Sequence, residues 1–274
     1  MSNEKVIRIT PRQPLFSINL SELLEFKELW KALLRRDIKI RYKQTIIGGV
    51  WAIIQPFFTM VIFSFFFGKI AQIPSDGIPY PIFSYSGLLI WTLFSNGLTI
   101  TANSLVINSR LIDKVYFPRL VIPYASTLVT VIDYLIALLV IFFLLLYYKI
   151  PLSPLLLVLP AVVLGVFVFT TGIGLWLATL NVKFRDVRFV LPFFIQLIIY
   201  ITPIIYPYSV AGNFKWLVAL NPLTAYVELH RDIILGNTFT LWPELCYSII
   251  ASIGITLTGL LYFKRHESNF SDII

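Results

Sequence analysis

Apolar positions along this chain neither alternate nor form narrow stripes. They run on for twenty residues or more between short polar breaks. Six such stretches stand out, at about 46–68, 83–107, 120–148, 154–180, 189–206 and 242–263. A helix needs about 20 mostly apolar residues to cross the hydrocarbon of a bilayer. The wall of a membrane barrel would instead show alternation. The pattern therefore predicts an all-α integral membrane protein with six transmembrane helices. Upstream, Leu23, Phe26, Trp30, Leu33 and Leu34 recur at helical spacing, with Glu25, Glu28, Lys31 and Arg35 on other faces. Asn19 followed by Glu22 has the spacing of a helix cap. This predicts an amphipathic interfacial helix, preceded by an extended arm at 1–16 that contains Pro11 and Pro14. Between the fifth and sixth stretches, 214–220 and 223–235 are apolar but short, and Asn221-Pro222 divides them. They are expected to be two short external re-entrant helices, tolerable where protein or water satisfies their backbone. Helices lying flat at the interface are the open alternative.

Composition agrees with this reading. Of 274 residues, 58% are hydrophobic and 13% charged, against about 25% charged in soluble domains. The net charge of +8 changes the picture only through its placement. Ten Lys/Arg precede position 46, three lie in 108–119, three in 181–188 and two after 263, while Lys69, Lys149, Lys215 and Arg231 are left for the other side. Basic residues mark the cytoplasmic face, so both termini are expected inside. Three regions follow: a cytoplasmic segment 1–45, a transmembrane domain 46–263 and a tail 264–274. Residues 1–26 hold no continuous apolar run, so the first span is expected to direct insertion. The single cysteine, Cys246, allows no intrachain disulfide.

Polar residues inside the spans are few and patterned. Thr92, Asn96, Thr99 and Asn103 fall on one face of the second span, Trp51, Gln55 and Phe58 on one face of the first, and Phe193, Gln196 and Tyr200 on one face of the fifth. Hydroxyls and amides facing lipid would be unpaired, so these faces should meet protein or water. Aromatic rings beside amides suit a sugar, which offers a C–H face and hydroxyls. Ordinary helix packing and interfacial belts explain the aromatics equally well. Ala161/Gly165, Thr170/Gly174 and Ser248/Ser252/Thr256 have the spacing of close helix contacts. Asp133 is the one acidic residue deep in a span and needs a partner or a proton. No phosphate loop, metal cluster or nucleophile–base pair is written into the chain.

Several strings resemble one family. RRDIKIRYKQTIIGGVWAIIQP (35–56), INSRLIDKVYFPRLVIP (107–123), NVKFRDVRFVLPFFIQ (181–196), YITPIIYP (200–207) and NPLTAYVELHR (221–231) look like the membrane subunit of ABC-2-type polysaccharide exporters. Those permeases move lipid-linked O-antigen, teichoic acid or capsular chains. Ile47 departs from the usual Leu.

The resemblance implies a homodimer with two ATP-hydrolysing partner subunits docked beneath it. ATP and Mg would then be bound by the partner, and no cofactor by this chain. It further implies a coupling helix at Ile112, Asp113, Lys114, Val115, Tyr116, Phe117, Pro118 and Arg119, supported by the amphipathic helix. A cytoplasmic gate near the lipid pyrophosphate would lie at Arg36, Arg41, Tyr42, Lys43 and Gln44. The first, second and fifth spans would line the channel, and the short external helices would close its mouth. Tyr116-Phe117-Pro118 reads independently as an apolar knob on a cytoplasmic loop, suited to a groove on a partner. An exporter of drugs or small lipids stays open as a rival. So, more remotely, does a membrane glycosyltransferase, for which the external acids Asp76, Glu228, Asp232 and Glu244 are scattered through the sequence.

Overall fold

A computed structural model describes residues 26–43, 48–115 and 117–270, and the described residues contain helices and turns without strands. The predicted cap at Asn19 and Glu22, the arm at 1–16, Gln44 and Tyr116 lie outside the described residues. The amphipathic helix is present as α1 (Lys27–Lys43) and carries the whole basic stretch through Lys43 as helix. A short 3-10 turn leads into α2 (Trp51–Phe63), which widens into a π-helical segment, Ser64–Ile70. Then follow α3 (Tyr80–Ile107), the short α4 (Ser109–Lys114), α5 (Val121–Tyr147), α6 (Leu159–Lys183), α7 (Val187–Ile201), α8 (Lys215–Ala219), α9 (Leu223–Leu235) and α10 (Trp242–His266).

Five helical stretches are long and apolar enough to cross a membrane: Gly48–Ile70, Tyr80–Ile107, Val121–Tyr147, Pro154–Lys183 and Trp242–His266. The remaining predicted span, 189–206, is cut short. α7 ends at Ile201, and Thr202 turns extended at φ −86°, ψ 135°. Its neighbour Pro203 explains this, because a residue before proline is pushed out of the helical region. Fifteen residues of helix rise only about 22 Å, less than the roughly 30 Å of hydrocarbon. The following bend, Thr202 to Ile205, is itself buried.

α3 is the axis of the fold. Over its most apolar stretch 56% of positions are enclosed by the rest of the chain, against 11% for the α2 stretch. α3 packs against α5, α6, α9 and α2, and its Phe94 stacks on Phe169 of α6 with centroids 5.6 Å apart. Of the small-residue positions, Gly165 meets the Tyr226 ring, Gly174 meets Thr101 and Thr256 meets Gly172. α6 and α10 touch backbone to backbone where Gly172 meets Gly259, and a Cβ on Gly259 would lie 2.5 Å from the Gly172 carbonyl oxygen. A second, smaller apolar cluster sits at the inner end, joining Leu33 of α1, Ile112, Phe117, Leu120, Phe263 and Phe270.

The two short helices α8 and α9 behave differently. Around α8, Phe214, Trp216 and Leu220 are exposed, whereas Leu223, Tyr226, Val227, His230 and Ile234 of α9 are buried. α9 is fastened from below. Tyr134 of α5 bonds His230 Nε2 at 2.8 Å, and Arg231 Nη2 donates to the Pro203 carbonyl at 2.9 Å. Arg231 also pairs with Glu228 at 2.9 Å and lies 3.8 Å over the Phe83 ring. Gly236 at φ +72° ends α9 in the left-handed conformation that suits glycine. The acids Asp76, Glu228 and Glu244, scattered in sequence, gather in space. Glu228 accepts from the Tyr208 amide, Glu244 from the Tyr208 hydroxyl and Asp76 from the Ser209 hydroxyl.

Candidate functional site

The basic end of α1 folds back onto the apolar start of α2, and the turn that allows it is written as Gly48-Gly49. Gly48 has φ +57°, and a Cβ there would lie 3.2 Å from the Tyr42 carbonyl oxygen. At Gly49 a Cβ would press on the Tyr42 ring at 3.4 Å. A side chain at Gly48 would be strained by the positive φ, and one at Gly49 would rest against the Tyr42 ring.

This fold-back encloses a polar cleft of about 80 Å³. α1 supplies Arg41 and Tyr42, α2 supplies Trp51 and Gln55, α3 supplies Thr92 and Asn96, and α5 supplies Asp133. Arg41 Nη2 lies 2.6 Å from Asp133 Oδ2, and the Tyr42 hydroxyl donates to Asp133 Oδ1. Burial, and after it the bond to Asp133, push the Tyr42 phenol well above its ordinary range, so it remains a donor. Asp133 has thus found the partner its depth demands: a charge left alone there would be far more costly than a paired one.

A second and larger cavity, about 450 Å³, lies beside the first. It runs between α1, α3 and α5 and is lined by Arg36, Asp37, Ile40, Ile107 and Asn108 among others. Arg41 lines both cavities.

The candidate residues separate into those the fold gathers and those it does not. Arg41, Tyr42, Trp51, Gln55, Thr92 and Asn96 meet at the cleft. Arg36 is engaged elsewhere: Nη2 donates to Asp37 at 2.7 Å and to Asn108 at 2.7 Å, which ties α1 to the inner end of α3. Lys43 is exposed. The stripe on α3 divides, since Asn103 accepts from Asn181 of α6 at 3.1 Å and donates to the Thr99 carbonyl. Phe58, Phe193, Gln196 and Tyr200 are exposed and do not line the cleft.

Of the expected apolar knob, Phe117 and Pro118 are turned inward by the fold, and Tyr116 lies outside the described residues. Phe117 is 4% exposed and Ile112 5%, both inside the inner cluster, and Pro118 is buried too. Phe263 in the last turns of α10 and Phe270 after that helix provide their covering. Glu267 reinforces it by accepting from the Arg119 amide at 2.9 Å, and Arg119 donates to the Glu267 carbonyl. Among the described residues of this loop, Asp113, Lys114 and Val115 are exposed.

Two elements of the site escaped the sequence reading. Asp133 was legible as a residue needing a partner, but not as the partner of Arg41, 92 positions away. The clamp by Glu267 and Phe270 had no signal beyond an aromatic and an acid in a polar tail.

The ABC-2 type transporter family matches residues 28–235, three quarters of the chain and every element of the cleft. The chain belongs to that family. This ABC-2 chain is 28% identical over 251 residues to the O-antigen export system permease protein RfbA of Klebsiella pneumoniae, covering 90% of this chain and 95% of that one. It is 27% identical over 257 residues to a protein of the same name from Myxococcus xanthus, covering 92% and 98%. Similarity extends to the polysialic acid transport protein KpsM of Escherichia coli, 25% identical over 246 residues, covering 86% and 93%. With its long apolar helices, this ABC-2 family member is a multi-pass protein of the inner membrane.

Proposed function

We propose that this chain is the channel-forming membrane subunit of an ATP-driven exporter that carries a lipid-linked, O-antigen-like polysaccharide across the inner membrane. The observation that carries the reading is similarity along nearly the whole length to permeases named for O-antigen and polysialic acid transport. The cleft supports it with suitable chemistry. A guanidinium suits phosphate oxygens, and Trp51, Gln55, Thr92 and Asn96 offer the ring face and hydrogen bonds that a sugar takes up.

In this reading both termini are cytoplasmic, and α7 with the buried bend after it makes a sixth crossing. The chain acts as a homodimer and has no nucleotide site of its own. Two copies of a separate ATPase subunit, which hold ATP and Mg, dock on the inner face. Their contact centres on the exposed Asp113, Lys114 and Val115, with Phe117 and Ile112 setting the shape of the loop from within. Phe193, Gln196 and Tyr200 face the conduit of the assembled dimer, and α8 and α9 lie at its mouth.

Depletion of the chain in its host is the direct test. Diphosphate-linked glycan is expected to accumulate on the cytoplasmic side and to clear when the chain is restored. Accumulation of a small amphiphile with normal glycan export would overturn the reading.

A further inference from the structure

The two cavities of the inner half meet at one side chain. Arg41 lines the open 450 Å³ groove and also the 80 Å³ polar cleft. It is held there by Asp133 at 2.6 Å, with Tyr42 donating to the same carboxylate. Among the residues lining the polar cleft, Arg41 is the sole cation and Asp133 the sole anion. The pair is not sealed, since Arg41 keeps 35% of its side chain accessible while Asp133 keeps 11%. A guanidinium takes a carboxylate and a phosphate by the same two-pronged geometry.

We infer that Asp133 is a built-in competitor for phosphate. It occupies Arg41 and Tyr42 in the resting chain, and an incoming diphosphate headgroup takes its place and joins groove to cleft. This rests on the reading of Arg41 as a headgroup contact. The movement required is small. α1 stays anchored by Leu33 in the inner cluster and by the Arg36–Asn108 bond, so only its last turn shifts. Gln55 and Asn96, which line the same cleft, are the amides available to the released carboxylate. A diphosphate carries more negative charge than the carboxylate it displaces, which sets the direction of exchange. Neutral lipids have nothing to offer Arg41 and leave the pair closed, so the device selects charged headgroups.

The test is equilibrium binding of farnesyl diphosphate to the full purified chain, with inorganic pyrophosphate and farnesol as parallel ligands. Asp133→Asn removes the competitor and is expected to bind farnesyl diphosphate roughly tenfold more tightly than wild type, equivalent to about 1.4 kcal/mol. Arg41→Gln is expected to lose binding, and farnesol to bind neither form differently. Tightening for farnesyl diphosphate but not pyrophosphate identifies a lipid headgroup, whereas tightening for both identifies the phosphates as the recognised part. Each supports the competitor role. Equal or weaker binding by Asp133→Asn overturns that role while leaving the exporter reading intact. Failure of wild type and variant alike to bind the diphosphate overturns the headgroup contact as well. Should Asp133→Asn not fold, the exchanged pair Arg41→Asp with Asp133→Arg decides. It is expected to restore the folded chain but not the diphosphate affinity, and full recovery of both would show the pair to be structural.

Discussion

Two arginine–carboxylate pairs lie on either side of the Tyr134–His230 bond, and they are built to different ends. Arg231 and Glu228 stand one helical turn apart on α9, with 2% and 12% of their side chains accessible. Everything around Arg231 is protein: the Pro203 carbonyl, the Phe83 ring and Glu228, which in turn accepts from the Tyr208 amide. Arg41 and Asp133 come from helices far apart in the chain, and they face a cleft on one side and a groove on the other. The chemistry is the same, but the enclosure differs. A pair sealed from solvent, with both terminal guanidinium nitrogens engaged, locks α9 to the bend after α7. A pair left open to two cavities can exchange its partner.

The largest effect is expected from breaking the sealed pair. Arg231→Met leaves Glu228 buried without its cation and should cost about 3–5 kcal/mol. A detergent-solubilised thermal melt would show it as a large loss of folded chain. If Arg231→Met melts like wild type, the lock is not where stability resides. The open pair should cost far less to break. Asp133→Asn leaves Arg41 with solvent access, where partly exposed pairs contribute at most about 1 kcal/mol, and the same melt should move little. A drop as large as that for Arg231→Met would erase the distinction between the two sites.

The smallest effect sharpens the outer end alone. Burial first, then the neighbouring charge of Glu228, raises the Asp232 carboxyl from 3.8 to about 6. Between those values the folded chain holds a proton that the unfolded chain has released, so stability falls as pH rises from 3.8 through 6. Wild type should therefore melt higher at pH 5 than at pH 7, and Asp232→Asn should flatten that slope. An unchanged slope in the variant would place the titration elsewhere.

How much of this was readable beforehand depended on whether the information was local. α1, the long apolar helices and the close contacts at Gly165 and Gly174 follow from composition and spacing within a segment. The end of α7 was also local, in Pro203, yet apolar continuity through 202–206 concealed it. Phe117 was misread for a different reason. Its loop, taken alone, exposes an aromatic, but Phe263 and Phe270 from the far end of the chain cover it. The cleft was half legible. Trp51, Gln55, Thr92 and Asn96 were singled out for polarity on a helical face, and the same criterion admitted Phe193, Gln196 and Tyr200, which the single chain leaves outside.

The sequence by itself determined the environment: long uncharged runs have no stable place except a bilayer. It also determined that Asp133 could not stand alone, because an unpaired carboxylate at that depth is too costly. Only the tertiary structure decided which cation answers it, which aromatic is covered and which arginine is sealed. Those outcomes depend on contacts between different segments, 92 positions apart for Arg41 and Asp133, and helical periodicity constrains the face of a residue but not the neighbour it meets.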